Sequence, residues 1–432
     1  MFNVVLITID SLRADHVGCI AGLDENRTLT PHLDDWARNA FIFSSAISQS
    51  SHTSPSFLAI LSGCYPCTFG DWFSSLSKER LTITQILRES GYDTGAFLSN
   101  PYISCAFDFD RGFDSFEDNL GSSRTGHIGR KFDLVKLRLS TLFRVPYQPA
   151  GHINRQVFDW LDRVEKPFFL WVHYMDVHGP YLPEAGFGAA QRLRAGYLWR
   201  KALSKPEKIK NTEKRFLAKT YAQKVKDMDS HLSSLLQRIQ RENTLIVITA
   251  DHGDLLGEHG LFGHPLELYE KLLHVPLFIS LPPESDPTVQ RIDTTVQSID
   301  IVPTILDSVG IGHRSHFHGD TLLPLMQGNQ YNNSDRYIIS EVSRSHLTVR
   351  KWPWKAIFNF SNDLERLYHI DSDPGEQVNR ALQEKAILNE FNRIALAHID
   401  KYKLDHEEGT KEARVTDDER IKAQLKALGY MD

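Results

Sequence analysis

Short runs of apolar residues that stop abruptly at polar ones recur along the chain. Three of them, Asn3–Ile9, Phe168–His173 and Leu245–Ile248, are rich in β-branched or aromatic residues, as is typical of strands buried on both faces of a mostly parallel sheet. Between such runs the apolar positions recur with helical spacing, most clearly in Leu217–Ile239. This alternation predicts an α/β domain in which helices flank a large sheet.

Two prolines define predicted helices. Pro55 favours a helix start, with Thr53 and Ser54 at or just before it. The exposed amides and the positive dipole at such a helix end favour an anion or an alkoxide, although simple capping of the helix by a hydroxyl is the alternative. Pro303 lies inside the apolar stretch Ser298–Val309 and predicts an interruption of that helix.

The pattern changes near residue 330. Short alternating strands separated by turn residues follow, and helices are predicted at 381–401 and 417–427. We therefore predict a catalytic α/β domain over residues 1–330 and a small C-terminal antiparallel-sheet subdomain over residues 331–432. The four predicted strands of this subdomain are Tyr337–Glu341, Leu347–Arg350, Trp354–Phe358 and Glu365–His369.

The composition is that of an ordinary globular protein. The 432 residues are 41% hydrophobic and 24% charged, with a net charge of −6, which gives no indication of specific nucleic-acid recognition. No window approaches the roughly 18 apolar residues of a membrane span. The apolar segment Phe2–Ile9 lacks a basic region before it and ends at Asp10, so it predicts a strand rather than a signal peptide. We therefore expect a cytoplasmic protein.

The cysteines are Cys19, Cys64, Cys67 and Cys105. They are too few and too irregularly spaced for a disulfide framework. Cys64 and Cys67 form a CxxC pair without a second pair, and we interpret it as structural rather than as a redox or zinc site.

Two predicted strands end in carboxylates. Asp10 follows the first strand, and Asp251 and His252 follow the strand at Leu245–Ile248. Because open α/β sheets bind ligands at the carboxyl ends of their strands, these residues predict a metal site. The glycine-rich loop that follows also contains His264. The alternative is that Asp251 and His252 merely form a turn.

A basic stretch runs from Gln191 to Lys226. It contains twelve Lys or Arg residues and two Glu residues. Such a run is commonly a solvated helix face, but it also fits the rim of a site that accepts anions.

Seven segments of this chain form a recognisable set. They are NVVLITIDSLRADHVGC, TSPSFLAILSGCYP, FLWVHYMDVHGPYLP, TADHGDLLGEHGLFGH, LYEKLLHVPLFISLP, SIDIVPTILD and LYHIDSDPGE. Together they resemble the sulfatase family of the alkaline phosphatase superfamily, in that family's order along the chain. The resemblance implies that Asp10, Asp251 and His252 bind a divalent metal. It also implies that His178 and His264 contact the anionic or leaving group of the substrate.

The nucleophile segment departs from the family pattern. Sulfatases have Cys or Ser two residues before the proline, matured to formylglycine, and Arg two residues after it. This chain has Thr53 and Phe57 at those positions, and Ser11 where a second Asp ligand is frequent. Thr cannot become formylglycine. Thr at this position is similar to the phosphodiesterase, phosphonate-hydrolase and phospho-group transferase branches of the superfamily.

These features together predict a metal-dependent hydrolase of anionic esters, small or linked to a lipid or a glycan. The expected substrates are phosphate mono- or diesters, attacked by Thr53. The expected cofactor is one divalent ion, Mn, Zn, Mg or Ca, bound by Asp10, Asp251, His252 and the Thr53 oxygen. The sequence leaves room for a second ion, which would use Asp176 and other histidines.

Two other functions stay open from the sequence. One is hydrolysis of sulfate esters without formylglycine. The other is a phospho-group transferase or a non-catalytic binding protein, for which the missing Arg at position 57 is the only indication.

Overall fold

The chain folds around a nine-stranded, mostly parallel sheet. The computed structural model describes residues 2–23, 27–69, 72, 75–120, 145–165, 167–183, 186–239, 243–282, 291–312, 317–329 and 336–402. The strands of this sheet are β1 (Asn3–Ile9), β2 (Phe41–Ile47), β3 (Asp93–Phe97), β4 (Ser115–Glu117), β5 (Phe168–Tyr174), β6 (Thr244–Ala250), β9 (His274–Ser280), β10 (Arg291–Ile292) and β11 (Val296–Gln297). A separate two-stranded hairpin consists of β7 (Leu255–Leu256) and β8 (Phe262–Gly263).

Parallel pairing brings the carboxyl ends of the central strands to one edge. The order is β10–β2–β9–β6–β1–β5–β3–β4, with β11 beside β2. Strand β9 is antiparallel to both of its neighbours, whereas β1 is parallel to β5 and β6. Ile9 lies opposite both Ala250 and Tyr174. The residues that follow these three strands are therefore neighbours, as the sequence predicts.

Helices cover the sheet. The long helix Asn211–Arg238 contacts the helices Pro31–Ala37, Ala150–Leu161 and Ala189–Ser204. Strands β5 and β6 are buried along their whole length. No helix in the described part of the chain is both long and apolar enough to cross a membrane. The helices are α1 (Gly18–Ala21), α2 (Pro31–Ala37), α3 (Thr53–Ser62), α4 (Ile83–Glu89), α5 (Ala150–Leu161), α6 (Ala189–Ser204), α7 (Asn211–Arg238), α8 (Glu270–Leu273), α9 (Ile301–Ser308), α10 (Leu323–Met326) and α11 (Lys385–Lys401).

Pro55 lies at a helix start, as the sequence predicts, whereas Pro303 does not have its predicted effect. Helix α3 begins at Thr53, two residues before Pro55. Pro303 does not interrupt a helix, because a short 3₁₀ turn precedes α9 and Pro303 is the third residue of that helix. In the first turn a proline lacks only an N–H that would have no partner within the helix. The predicted interruption was therefore wrong.

The C-terminal subdomain is a four-stranded antiparallel sheet covered by α11. Its strands are β12 (Ile338–Ser343), β13 (His346–Lys351), β14 (Trp354–Asn359) and β15 (Leu364–His369), in sequential order, which confirms the predicted small antiparallel sheet. Its first strand is tied to the segment before α3, because Ser340 Oγ donates to Ser48 O at 2.5 Å and Glu341 N donates to Gln49 O at 2.8 Å. The predicted boundary at 330/331 and the predicted helix 417–427 lie outside the described residues.

Candidate active site

Three potential metal ligands meet at the carboxyl edge of the sheet. Asp10 follows β1, and Asp251 and His252 follow β6. All three side chains are fully buried, and their ligand atoms lie within 4.8 Å of one another. Sequence analysis predicted this grouping, and the parallel register of β1 and β6 produces it.

Hydrogen bonds hold the two carboxylates in place. Asp10 Oδ1 accepts from Ser11 Oγ at 2.9 Å, and its Oδ2 accepts from Asn100 Nδ2 at 3.0 Å. Asp251 Oδ1 accepts from Ser11 N at 3.1 Å and from His252 N at 2.8 Å. Ser11 adopts a left-handed conformation with φ of 59°, which is uncommon for a residue other than glycine. This backbone turn directs the Ser11 N–H of one strand end toward the carboxylate of the other.

The remaining atoms of this group suit a divalent cation. Asp251 Oδ2 is buried and has no hydrogen-bond partner among the described residues. His252 Nδ1 lies 2.9 Å from Gly253 O. Because a carbonyl oxygen only accepts, Nδ1 carries the proton and Nε2 presents its lone pair, as a metal ligand requires.

The charges of the two carboxylates also favour a bound divalent cation. Burial and the charge of Asp10 raise the pKa of Asp251 well above its usual range. Burial alone would raise the pKa of Asp10 as well, but His178, His173 and His252 hold it far below the ordinary value. A cation between the two carboxylates would relieve their repulsion and allow both to be ionised.

Thr53 lies beside this group. It is the first residue of α3 and is 1% exposed, and its Oγ1 lies 3.4 Å from His252 Nε2. The N-cap residue is His52, and its side chain makes no capping hydrogen bond. Thr53 is therefore not the N-cap residue, and its hydroxyl lies next to the metal group.

Histidine rings surround the Thr53 side of the site. His264 Nε2 lies 3.1 Å from His178 Nε2, and the ring centroid of His264 lies 4.6 Å from that of His252 and 5.2 Å from that of His52. Burial and the three neighbouring imidazoles lower the pKa of His264 well below its usual value. Burial likewise lowers the pKa of His178, although Asp10 partly opposes this. Both shifts favour the uncharged form of these rings.

The proton between these two rings can be assigned. His178 Nδ1 lies 2.6 Å from Gly179 O, so Nδ1 of His178 carries a proton and donates it. The Nε2 atom of neutral His178 then accepts, and Nε2 of His264 is the donor. The two residues therefore form a hydrogen-bonded pair with a proton directed between them.

Three residues of the site were not predicted from the sequence. His52 contacts the His264 ring, Asn100 contacts Asp10, and His173 Nε2 lies 3.4 Å from Asp10 Oδ2. Asn100 and His173 had a signal, since both are polar residues at or near the end of an apolar strand. His52 could have been found only from its position next to Thr53.

The contacts of Phe57 and Asp176 indicate structural roles for both residues. The Phe57 ring packs between Trp171 and His173, with centroid distances of 5.1 and 5.0 Å. Asp176 Oδ2 accepts from the backbone N at the start of α5, and Oδ1 lies 3.8 Å from Lys224 Nζ on α7. Among the described residues Asp176 belongs to no group of three potential ligands. Its contacts give no support to a second metal site.

Helix α6 of the basic stretch packs against the loops that carry the two site histidines. A Cβ added to Gly179, next to His178, would lie 2.1 Å from Trp199 Cζ2. A Cβ added to Gly263, next to His264, would lie 3.3 Å from Trp199 Cη2, and Gly263 has a φ of +69°. Trp199 therefore requires glycine at Gly179 and links the basic helix directly to the site.

Comparisons with known proteins identify a family for most of the chain. The family model described as Sulfatase matches residues 2–311, and the model described as N-sulphoglucosamine sulphohydrolase, C-terminal, matches residues 257–396. An uncharacterized sulfatase YidJ of Escherichia coli is 24% identical over 430 residues, covering 87% of this chain and 82% of that protein. A Delta 4,5-hexuronate-2-O-sulfatase of Bacteroides thetaiotaomicron is 30% identical over 192 residues, covering 42% of this chain and 40% of that protein.

A solved structure extends the likeness over nearly the whole chain. The phosphonate monoester hydrolase of Agrobacterium radiobacter superposes with a TM-score of 0.71 at 17% identity, covering 93% of this chain and 96% of the other. At that identity the likeness shows the fold. The family match over residues 2–311 shows more: the chain belongs to the sulfatase family, a family of metal-dependent ester hydrolases within the alkaline phosphatase superfamily.

Proposed function

We propose that this member of the sulfatase family hydrolyses phosphate mono- or diesters, with Thr53 as the nucleophile. The observation that carries the proposal is the position of Thr53. Its hydroxyl lies 3.4 Å from His252 Nε2, at the amino end of a ten-residue helix and beside two buried carboxylates.

The side chain of Thr53 determines which chemistry is open to it. A threonine hydroxyl cannot mature to formylglycine, but it can attack phosphorus directly. In the first step the Thr53 oxygen forms a bond to phosphorus, its proton passes to solvent, and the bond to the leaving alcohol breaks as that alcohol takes up a proton. The intermediate is phosphothreonine for a monoester, and phosphothreonine that keeps the second ester group for a diester. Water then attacks phosphorus, the bond from phosphorus to Thr53 breaks, and a proton from water restores the hydroxyl.

Asp10, Asp251 and His252 would hold the divalent ion. When bound, this ion lowers the pKa of the nearby hydroxyl and offsets charge on the ester oxygens. The chain itself positions the nucleophile, because α3 holds Thr53 against these ligands. The amides at the amino end of α3 also favour the negative charge that develops there.

The histidine pair would supply the proton for the leaving alcohol. His178 Nδ1–H is fixed on Gly179 O, and the proton of His264 Nε2 points into the space between the two rings. Burial keeps the pair neutral in the free protein, whereas a bound anionic ester raises the pKa of both rings by its charge. The pair would then gain a proton only when substrate is present, and would give it to the departing oxygen.

Sulfate-ester hydrolysis is the second candidate. The relative from Bacteroides thetaiotaomicron is named a 2-O-sulfatase, and a sulfate ester carries an anionic group of similar shape. Thr53 disfavours this function, because direct attack would leave a sulfated threonine without the hydrate chemistry of formylglycine to release it. A phospho-group transferase would share the first step and differ only in the acceptor of the second.

A substrate and metal panel tests the proposal. We expect the purified chain with Mn²⁺, Zn²⁺, Mg²⁺ or Ca²⁺ to turn over an aryl phosphodiester or phosphomonoester faster than the matching aryl sulfate. The Thr53→Ala variant, prepared in parallel, measures the contribution of contaminating hydrolases. A preference for the aryl sulfate under every metal would overturn the phosphate assignment. Product formation that requires an added alcohol would indicate a transferase.

The basic stretch would favour large anionic substrates, including esters linked to a glycan or an anionic lipid. Several of its charges are exposed, while Lys214 donates to Gly257 O at 2.7 Å and so places this surface beside the glycine-rich loop. The exposed cationic residues of α6, α7 and the loop between them include Arg194, Arg200, Lys205, Lys208, Lys210 and Arg215.

We expect kcat/KM on a polyanion-linked ester to fall as salt rises, and kcat/KM on a small ester to change little. The reason is screening, since the Debye length shortens to about 8 Å at physiological salt. Kinetics across a salt series check this. The Arg200→Gln, Lys208→Gln double variant should flatten the slope for the large ester only. Equal slopes for both esters would assign these charges to a solvated face.

A further inference from the structure

A second cluster of potential metal ligands lies away from the active site. Cys67, Glu341 and His398 are 4%, 1% and 7% exposed, and their ligand atoms lie within 4.8 Å of one another. Cys67 belongs to the turn after α3, Glu341 to β12 and His398 to α11. The cluster therefore joins the catalytic domain to both layers of the C-terminal subdomain.

Cys67 and Glu341 both contact the same atom, Nε2 of His398. His398 Nε2 lies 3.4 Å from Cys67 Sγ and 3.0 Å from Glu341 Oε2. In a relay of the nucleophile–base–acid kind, the thiol and the carboxylate would contact opposite nitrogens of the ring. Here both contact the same nitrogen, so the arrangement is that of three donors around a common centre.

The spacing fits a tetrahedral ion. With Zn–S of about 2.3 Å and Zn–N of about 2.0–2.1 Å, tetrahedral ligands are separated by about 3.6 Å for sulfur and nitrogen and about 3.3 Å for nitrogen and oxygen. The observed separations of 3.4 and 3.0 Å are close to these values. A shift of a few tenths of an ångström would admit the ion.

The charges of these three ligands would balance that of a divalent ion. Within the described residues the only ion-pair partner of Glu341 is His398. Burial, followed by the nearby Glu341 charge, raises the pKa of the Cys67 thiol. One thiolate, one carboxylate and a neutral imidazole around a divalent ion make a neutral group, which is the form that a buried site favours.

The surroundings hold the Cys67 turn in place. Arg80 is fully buried, and it donates to Ser62 Oγ at 3.0 Å and to Pro66 O at 2.9 Å. Cys67 N donates to Glu341 Oε1 at 2.7 Å. The ring of Tyr65 lies 4.8 Å from that of His398. Cys67 is thus positioned before any ion binds, which lowers the entropic cost of binding.

We propose that Cys67, Glu341 and His398 bind a Zn²⁺ ion that fastens the C-terminal subdomain to the catalytic domain. Zinc is the divalent metal that a set of thiolate, imidazole and carboxylate ligands selects. Binding replaces the Cys67 thiol proton, which passes to solvent. A fourth position is left for water.

A zinc ion on Cys67 would change the interpretation of the CxxC pair from purely structural to partly metal-binding. The sequence offers no second Cys pair near it, and the partners of Cys67 are 274 and 331 positions away along the chain. Spacing rules for zinc sites detect ligands in local pairs. They do not detect a site assembled from one thiol and two distant residues.

Cobalt titration of the metal-free chain tests the proposal. The Asp251→Asn variant is used as the background, because the active-site group offers only oxygen and nitrogen ligands and is weakened there. We expect a near-ultraviolet thiolate-to-cobalt charge-transfer band that saturates at one Co²⁺ per chain and disappears when Zn²⁺ is added. The band should be lost in Cys67→Ser and kept in Cys105→Ser, which removes an exposed thiol.

The alternative is a plain His398–Glu341 ion pair beside a neutral thiol, and it predicts no band. Absence of the band in a folded chain, or its persistence in Cys67→Ser, would overturn the proposal. If Cys67→Ser does not fold, zinc X-ray absorption of the zinc-loaded Asp251→Asn chain replaces it. A sulfur neighbour at about 2.3 Å supports the site, and a shell of only nitrogen and oxygen contradicts it.

Discussion

Thr53→Ala is expected to lower phosphodiester turnover by about 100-fold or more while the chain stays folded. A loss of that size corresponds to about 2.7 kcal/mol of barrier, the least that removal of a covalent nucleophile should cost. Thr53 is the first residue of α3, and the N-cap residue is His52. Truncation at position 53 therefore leaves the N-cap residue in place. Steady-state kinetics of the metal-loaded protein provide the measurement.

Ser54 provides a matched control in the next position. Its Oγ is buried and has no hydrogen-bond partner among the described residues. Ser54→Ala therefore gives up no hydrogen bond, and most of the turnover should survive. Equal losses in Thr53→Ala and Ser54→Ala would indicate that the change disturbs α3 rather than the nucleophile.

The covalent intermediate can be observed directly. When turnover of a phosphodiester is quenched, the mass of the intact protein should increase by a phosphoryl group that still carries the second ester group. This adduct should map to the peptide containing Thr53. The same quench in Thr53→Ala should give no adduct. An adduct on Ser54, or full activity of Thr53→Ala, would mean that a different group attacks phosphorus. A loss much smaller than about 100-fold would reduce Thr53 to a ligand or positioning role.

The second large effect is expected for Asp251→Asn, and likewise for Asp10→Asn. Each should abolish activity and lower the bound metal by about one equivalent per chain, measured by elemental analysis. Asp251 Oδ1 accepts two backbone hydrogen bonds, whereas Oδ2 has no hydrogen-bond partner among the described residues. The side-chain oxygen of Asn can accept the same two backbone hydrogen bonds, and its NH2 group can take the place of Oδ2. The fold should therefore survive. The substitution also removes the repulsion between the two carboxylates.

Asp254→Asn is the control for loss of a buried carboxylate. Asp254 is fully buried and three residues from Asp251, but its Oδ2 accepts from the Tyr181 hydroxyl at 2.6 Å. This variant should retain the metal even if its stability falls. Full metal occupancy in Asp251→Asn would remove Asp251 from the ligand set. Metal loss in Asp254→Asn but not in Asp251→Asn would assign the metal ligand to Asp254 instead of Asp251.

The sequence predicted the parts of the site that local pattern controls. An apolar run that ends in Asp10 or in Asp251 and His252 marks a strand and its carboxyl end at once, and parallel pairing then brings the ends together. Thr53 was identified through the resemblance to the sulfatase family, in which the nucleophile lies two residues before a proline, and its role stays a prediction. The four C-terminal strands were also predicted within two residues at each end, because alternating side chains and turn residues define them locally.

What the sequence could not show depends on contacts between distant segments. His52 enters the site only because α3 is turned toward the loop after β6. The Cys67 cluster depends on how β12 and α11 lie against the turn after α3. The effect of Pro303 depended on where α9 begins, since the same proline is tolerated in the first turn and disruptive two turns later.

The position of β1 at the middle of the sheet also has a consequence for synthesis of the chain. The two neighbours of β1 are β5 and β6, and Asn3 pairs with Thr244. At about 5–20 residues per second, a ribosome needs on the order of 10–50 s between completing β1 and completing β6. Throughout that time NVVLITI is an apolar β-strand with no β6 partner on the nascent chain, and such segments are prone to intermolecular pairing. Chaperone supply and translation rate, rather than the stability of the finished fold, should therefore limit the yield of active protein.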